Sequence, residues 1–170
     1  MAVTIRPLTA PDWPSVREIY AEGIATGNAT FEAEPPSWED FDHSKLSDHR
    51  FVAVGDSGDV IGWITVSPTS SRAVYRGVVE HSVYVASAAR RKGVGRLLLQ
   101  ELVTSTEAAG IWTIQSSIFP ENEATLALHR SAGFRLVGTR ERIARMTYGP
   151  HADRFRDTLM VERRSTVVES

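Results

Sequence analysis

The segment ARRKGVGRLLLQELV, residues 89–103, joins a run of three cations to two glycines and then to a leucine-rich stretch. Val94, Leu98 and Leu102 recur at four-residue spacing, which predicts a helix that begins at the glycines. Leu97 lies beside them in the predicted apolar stripe. Cations are disfavoured at a helix start, where free backbone N–H groups carry partial positive charge. The segment therefore predicts that this strand-to-helix junction binds an anion.

The segments around this helix predict a mixed sheet. GVVEHSVYV before it and IWTIQSSIF after it have the composition of strands, and a helix between two strands gives a parallel pair. FVAV and VIGWITV, joined by the turn-rich GDSGD, predict an antiparallel hairpin upstream. The other predicted elements are a first strand in VTIRPLT, a helix over APDWPSVREIYAEGI capped by Thr9 and Asp12, a short helix capped by Ser37 and Asp40, a helix over NEATLALHRSA closed by Gly133, and final strands in FRLVGTRER and DTLMVERR. We expect one α/β domain over residues 1–170.

Composition limits the classes of function. The chain has 170 residues and a formal net charge of -2, so it has no general basic field, and we expect no nucleic-acid partner. It has no cysteine, which excludes disulfides, thiolate metal sites and cysteine nucleophiles. The opening MAVTIRPLTAPDW lacks the apolar run of a signal sequence, and no run is long enough to cross a bilayer. We therefore expect a cytoplasmic protein without a membrane partner.

Two familiar phosphate-binding loops do not fit the basic junction. A Walker loop places lysine after its last glycine, whereas Lys92 precedes Gly93. The dinucleotide fingerprint needs a third glycine where Leu98 stands. Arg-x-x-Gly-x-Gly at residues 90–95 remains, and its glycines let a diphosphate approach the N–H groups of the first helical turn. The alternative is a helix start eased by glycine, with solvated arginines.

Several ordered motifs resemble those of one family. Residues 90–95, after a strand and before a leucine-rich helix, resemble the coenzyme A motif of the GNAT superfamily of N-acetyltransferases, and ENEATLALHRSAGF resembles its second acyl-CoA segment. VEHSVYV, VGT and the Arg-aromatic-Arg-Asp run at residues 154–157 resemble the phosphinothricin and methionine sulfoximine N-acetyltransferases. The resemblance extends from TIRPLT to DTLMVERR, which is nearly the whole chain.

The resemblance implies a fold, a co-substrate and an assembly. The fold is the GNAT fold: a mixed, mostly antiparallel sheet of six or seven strands with a central splayed parallel pair, flanked by about four helices. The co-substrate is acetyl-CoA, and the assembly is a homodimer. The implied contacts are Val83, Tyr84 and Val85 through their backbone to pantetheine, Arg91, Lys92, Gly93, Val94, Gly95 and Arg96 to the pyrophosphate, and Asn122 to pantetheine or adenosine with Ser131 near it.

Two residues are candidates for catalysis. The resemblance implies that Glu80 removes the proton of the attacking amine, while strand alternation places His81 on the opposite face. The alternative for Glu80 is a strand carboxylate that faces solvent or pairs with Arg76. His129 stands where many acetyltransferases have a tyrosine that protonates the leaving thiolate, and an imidazole can act as acid or base near neutral pH. The alternative for His129 is a packed helix residue.

The resemblance also suggests where the acceptor binds. Arg72 can bind a carboxylate through two hydrogen bonds, and Phe31 and Tyr75 resemble aromatic pocket positions, with Phe31 entering as a lid. MTYGPHADRF departs from the Lys-Phe-Gly of the family, which leaves the amine open. His43, His49, His81 and His151 show no paired metal-ligand spacing, so we expect no metal.

These residues predict transfer of an acetyl group from acetyl-CoA to the α-amino group of a small amino-acid analogue, of the phosphinothricin, methionine sulfoximine or methionine sulfone type. Direct attack in a ternary complex is the economical route in a chain without cysteine, and a covalent serine intermediate is the alternative. One alternative is acetylation of a protein N-terminus or an antibiotic amine. Another is a non-catalytic acyl-CoA-binding sensor.

Overall fold

A computed structural model describes residues 2–168. Within this range the strands are β1 (Thr4–Pro7), β2 (Phe51–Val54), β3 (Val60–Pro68), β4 (Val78–Val85), β5 (Thr113–Ile118), β6 (Arg135–Arg145) and β7 (Phe155–Arg164). The α-helices are α1 (Trp13–Ala25), α2 (Trp38–Ser44), α3 (Val94–Ala108) and α4 (Glu123–Ser131). The strands form one sheet in the order β1-β2-β3-β4-β5-β7-β6. The predicted GNAT-type α/β fold is confirmed.

The central strands β4 and β5 form the predicted parallel pair, and α3 provides the crossover between them. All other neighbouring strands are antiparallel. The β4–β5 ladder has three registered pairs and ends where Glu80 faces Gln115. Beyond this point the two strands part, and the edge of β4 is left without a neighbouring strand. The sheet therefore opens a cleft at its centre.

Both predicted helix starts near the N-terminus are confirmed. The Thr9 N–H donates to the Asp12 carboxylate at 2.8 Å, just before α1. Arg6 donates to the same carboxylate at 2.7 Å, and this hydrogen bond lowers the pKa of Asp12 to about 2. The Ser37 hydroxyl accepts from the Asp40 N–H at the start of α2. These caps orient the two helices that cover one face of the sheet.

The two faces of the sheet pack against different helices. On one face, α3 packs on the strands through Leu98, Leu99 and Leu102. On the other face, α1 and α2 pack around Trp63 and Phe41. The expectation that Leu97 belongs to the apolar stripe is wrong, because its side chain is 39% exposed and Leu99 is buried instead.

A helix advances by about 100° per residue, so Leu97 and Leu99 lie equally far from the centre of the stripe, on opposite sides. Only the position of the sheet decides which of the two is covered. In the part of the chain that the structure describes, no helix combines the length and apolar character that crossing a bilayer requires.

Candidate active site

A cavity of about 580 Å³ fills the opening between the parted strands. Residues 82–85 of β4 form one wall, and residues 116–119 at the end of β5 form the other. The start of α3, at residues 93–96, and Leu128 and His129 of α4 close it. The cavity is large enough for a small-molecule ligand. It therefore joins the three regions that the sequence assigned to acetyl-CoA.

The open edge of β4 presents backbone polar groups to this cavity. The Ala86 N–H donates to the Ile61 carbonyl of β3 at 2.9 Å, so the amide of Ala86 points towards β3. Neighbouring residues of a strand turn their backbone groups to opposite edges, so those of Val85, and by the same alternation Val83, face the cavity. Arg90 Nε reaches the Val85 carbonyl from that side at 3.2 Å. A bound molecule with amides can therefore pair with this edge.

Tyr84 lies between these two residues and lines the cavity, but its backbone faces β3 by the same alternation. Its ring stacks on Trp63 with the centroids 4.7 Å apart. A Cβ at Gly23 would come within 2.5 Å of the Tyr84 ring, so α1 needs a glycine here to approach the sheet. No feature of the sequence marked Gly23 for this role.

The start of α3 has the properties of an anion site. Gly93 precedes the helix with φ +82°, and a Cβ there would meet nothing within 4 Å. The first N–H groups of a helix have no acceptor within the helix, so those of residues 94–96 are available to a ligand. Arg91 and Arg96 are exposed and line the cavity. An anion in this corner would therefore meet N–H donors and two cations.

Lys92, the lysine of the basic run, points away from this anion site. Lys92 Nζ donates to the Ala88 carbonyl at 2.8 Å and does not line the cavity.

The two residues of the α4 segment that were assigned to coenzyme A differ in position. Asn122 lines the cavity; it accepts from the Thr125 N–H and donates to the Asn28 carbonyl at 3.2 Å. Ser131 lies in the last turn of α4, where its hydroxyl donates to the Leu128 carbonyl, and it lines neither this cavity nor the second one described below. Contacts of Lys92, Asn122 and Ser131 with coenzyme A stay predictions.

Glu80 lies at the fork where β4 and β5 part. Its side chain is half-buried, and Gln115 Nε2 donates to its Oε2 at 3.0 Å. Arg76, the alternative partner considered from the sequence, lies over the Trp112 ring instead, with 5.7 Å between its Cζ and the ring centroid. The hydrogen bond to Gln115 fixes one carboxylate oxygen and leaves Oε1 without a hydrogen bond to another side chain among residues 2–168.

His129 is buried and forms a pair with His81 that the sequence did not predict. The two Nε2 atoms lie 2.8 Å apart, and His129 Nδ1 lies 2.7 Å from the Thr125 carbonyl oxygen. A carbonyl only accepts, so His129 Nδ1 carries a proton, and in the neutral ring Nε2 accepts from His81 Nε2–H. His81 Nδ1 then carries a lone pair and is buried without a partner among the described residues.

Burial keeps both imidazoles of this pair neutral. It lowers the pKa of His81 well below the usual value, and the neighbouring His129 adds to this effect. Burial also lowers the pKa of His129, against the opposing hydrogen bond to Thr125. Both nitrogens of His129 take part in hydrogen bonds, and the one nitrogen of the pair without a hydrogen bond among the described residues is Nδ1 of His81.

Acidification is expected to destabilise the fold through this pair. Because both pKa values are lowered in the folded pair, the unfolded chain binds more protons on these imidazoles below pH 6.5 than the folded chain does, so the free energy of unfolding falls. The limiting slope is about 1.4 kcal/mol per pH unit for each imidazole. The double variant His81→Phe, His129→Phe keeps an aromatic contact with Phe134 and should flatten the slope. Urea unfolding between pH 5 and pH 7 measures it.

His43→Gln provides the matched control for this experiment, because His43 is exposed on α2. It should keep the pH dependence of the parent. A parent whose unfolding free energy does not change between pH 6.5 and pH 5 would contradict a neutral buried pair.

The predicted acceptor residues are dispersed. Phe31 packs edge-on against Phe119 at the cavity wall, with the ring centroids 4.9 Å apart. Arg72 and Tyr75 are exposed, with the Arg72 guanidinium over the Tyr75 ring at 5.6 Å, and neither lines a described cavity. A role for these residues in binding the acceptor stays a prediction.

Arg156 belongs to the Arg-aromatic-Arg-Asp run at residues 154–157, and the sequence indicated no separate role for it. It is buried in β7 and donates to the Gly27 carbonyl at 2.7 Å, to Asn28 Oδ1 at 2.8 Å and to Glu121 Oε2 at 3.0 Å. Its guanidinium also lies 3.9 Å from the Phe119 ring centroid. It therefore joins the loop after α1 to the loop before α4. The Arg-aromatic-Arg-Asp run at residues 154–157 was the available signal.

An open central sheet, a free strand edge and a helix start with free N–H groups meet in one cleft, and this arrangement is that of the GNAT fold. The acetyltransferase (GNAT) family matches residues 11–134, and the chain belongs to this family. It is an acetyl-CoA-dependent acetyltransferase. No group of three or more His, Asp or Glu side chains that could hold a metal occurs in the part of the chain described.

Relatives with assigned activities extend over most of the chain. An L-methionine sulfoximine/L-methionine sulfone acetyltransferase of Pseudomonas paraeruginosa is 30% identical over 145 residues, which cover 81% of this chain and 83% of the relative. A phosphinothricin N-acetyltransferase of Streptomyces coelicolor is 30% identical over 150 residues, which cover 84% of this chain and 88% of the relative.

The fold also matches a solved structure. A GNAT superfamily phosphinothricin acetyltransferase from Sinorhizobium meliloti, crystallised in complex with AcCoA, superposes with a TM-score of 0.85 at 34% sequence identity. The match covers 96% of this chain and 89% of that chain.

Proposed function

We propose that this chain transfers the acetyl group of acetyl-CoA to the α-amino group of a small amino-acid analogue of the phosphinothricin, methionine sulfoximine or methionine sulfone type. The observation that carries the proposal is Glu80, whose carboxylate lies at the fork where the cleft begins. The activities named for the relatives support this class of acceptor. The route is direct attack within a ternary complex.

The reaction needs a neutral amine, a polarised carbonyl and a proton for the leaving sulfur. The amine nitrogen forms a bond to the thioester carbon, and the carbon–sulfur bond breaks. Glu80 takes the proton of the ammonium, directly or through water, which frees the nitrogen lone pair. The Val85 N–H on the open strand edge donates to the carbonyl oxygen as negative charge develops there.

The proton for the departing thiolate is assigned to His129. In the resting arrangement His129 Nε2 accepts the hydrogen bond from His81 Nε2–H and carries no proton. His129 Nε2 can therefore donate to sulfur only after it has received a proton, either through this hydrogen bond or after the hydrogen bond has broken. The exchange is balanced when a proton from solvent binds His81 Nδ1 and His81 Nε2 passes its own proton to His129, while Glu80 returns the proton of the amine to solvent. His129 then has a proton on Nε2 that it can give to sulfur.

The residues of the cleft fit acetyl-CoA as a bound co-substrate. The free edge at Val83 and Val85 suits the amides of pantetheine, and the start of α3 suits a diphosphate. The open space at Gly93 leaves room for the phosphates. A homodimer in the cytoplasm is part of the same proposal, and sedimentation velocity of the purified chain measures the assembly.

One assay tests the proposed activity: thiol release from acetyl-CoA with a panel of amino-acid analogues, aminoglycosides and short peptides. Methionine sulfone, methionine sulfoximine or phosphinothricin should give the largest kcat/KM. Preference for peptides or aminoglycosides would favour the alternative acceptors. Binding of CoA without thiol release from any amine would favour a sensor.

A further inference from the structure

A second cavity, of about 320 Å³, lies on the face of β4 opposite the histidine pair. Its aromatic walls come from Tyr20, Phe41 and Trp63, and its charged groups are Glu32, Asp40 and Lys45. Ser82 of β4 lines both this cavity and the acetyl-CoA cleft. The two cavities therefore adjoin at the strand that carries Glu80.

Lys45 is the cation of this second cavity. It follows the last turn of α2 and is half-buried, with its ammonium 5.9 Å from the Phe41 ring centroid. Lys45 Nζ donates to Ser67 Oγ at 3.3 Å, and Ser67 lies directly opposite Glu80 in the β3–β4 register. It makes no ion pair within 4.0 Å with a carboxylate of residues 2–168. Burial lowers the pKa of the ammonium, and the carboxylates of Glu80 and Glu32 oppose this effect.

Two polar groups on the same face of the sheet are buried without hydrogen-bond partners among the described residues. They are the indole Nε1–H of Trp63, a residue whose ring lines the cavity, and the hydroxyl of Thr65, which lies opposite Ser82 in the register and outside the cavity lining. A buried donor without a partner is destabilising, so both groups add to the polar character of this face. The cavity itself holds one ammonium that has no ion pair among residues 2–168, which suits an oxyanion.

The distribution of the other charges fits an amino acid. Glu32 and Asp40 lie in the same cavity, and Glu80 lies beside Ser67 across the strand. An acceptor that carries both an amine and an oxyanion can place its amine towards the carboxylates and its oxyanion at Lys45. Arg72, the cation chosen from the sequence for this purpose, is exposed outside the cavity.

We propose that Lys45 is a substrate-binding residue that selects acceptors carrying an oxyanion. This inference rests on the proposed acetyl transfer to an amino-acid analogue, and it assigns recognition of the oxyanion to the second cavity. The oxyanion is the α-carboxylate or an acidic side-chain group such as a phosphinate, since both present oxygens with the same chemistry.

The test compares Lys45→Met with Lys45→Arg in steady-state kinetics. If the oxyanion is the α-carboxylate, Lys45→Met should raise the KM for methionine sulfone by about 10- to 100-fold with little change in kcat, because a charge-assisted hydrogen bond is lost. Lys45→Arg should recover most of the affinity. With methionine sulfone carboxamide, parent and Lys45→Met should have similar KM values.

Phosphinothricin and its carboxamide distinguish the two sources of the oxyanion. If Lys45 binds the α-carboxylate, the effect of Lys45→Met is lost with the phosphinothricin carboxamide. If Lys45 binds the phosphinate, the effect persists with that carboxamide and is absent with methionine sulfone. Arg72→Ala is measured in parallel, and a KM effect confined to Arg72→Ala overturns the assignment to Lys45.

Arg140→Met, which removes an exposed cation of β6, is the matched control and should have parent values throughout. Calorimetric binding of methionine sulfone and of phosphinothricin in the presence of CoA gives a readout that does not need turnover. Parent KM values in Lys45→Met for every acid overturn the inference while the proposed function stands. Absence of turnover in the parent overturns the proposed function, and binding that depends on Lys45 would still support the inference. A parent that binds neither acid overturns the inference as well.

Discussion

Glu80→Gln is expected to lower kcat by about 10²- to 10⁴-fold, which is the usual contribution of a general base. The amide has the shape of the carboxylate and retains an oxygen to accept from Gln115, so the fork between β4 and β5 should keep its geometry. The amide cannot take a proton from the ammonium. Steady-state thiol release across pH measures kcat, and calorimetry should give an acetyl-CoA affinity close to that of the parent.

The pH dependence of Glu80→Gln separates a lost base from a disturbed fold. Raising the pH increases the fraction of acceptor that is already neutral, so the variant should regain part of its rate in alkaline solution. Glu18→Gln, which changes an exposed carboxylate on α1, should match the parent. A Glu80→Gln rate within twofold of the parent at every pH would remove Glu80 from the mechanism.

Local sequence signals were sufficient to predict the helices and strands and to predict which side chains of β4 lie on each face of the sheet. Alternation in β4 placed Glu80 and His81 on opposite faces, and the structure confirms this arrangement, because Glu80 bonds to Gln115 while His81 packs against His129. The glycine at residue 93 marked the start of α3 correctly. These predictions succeeded because side-chain periodicity and helix starts depend on neighbours within a few residues.

Contacts between distant segments could not be predicted in the same way. His81 and His129 are 48 residues apart, and only the crossover through α3 brings α4 over β4. Lys45 follows a short helix in a polar segment, so its sequence resembles that of a solvated surface. Its burial depends on how α2 packs against Trp63. The periodicity of the sequence determines on which face of its strand or helix a side chain lies. The packing of strands and helices against one another determines which side chains it contacts on that face.

Gly93→Val is expected to weaken acetyl-CoA binding by about 10- to 100-fold. Gly93 has φ +82° immediately before α3, and a β-branched residue in that region is strained by about 1–3 kcal/mol. Relief of the strain turns the N–H groups of residues 94–96 away from a common point, and the isopropyl group occupies space that a diphosphate would use. Isothermal titration with acetyl-CoA and with free CoA measures both affinities, which should fall together because the two ligands share the diphosphate.

Gly110→Val separates binding from general strain. Gly110 also has a positive φ, of +76°, and open space around its Cβ, but it follows the C-terminal end of α3 and does not line the cleft. The two variants should lose similar amounts of unfolding free energy, while only Gly93→Val loses affinity for CoA. Equal CoA affinity in Gly93→Val and the parent would mean that the diphosphate binds elsewhere. In that case neither the position of the thioester nor its approach to Glu80 could be inferred from this helix start.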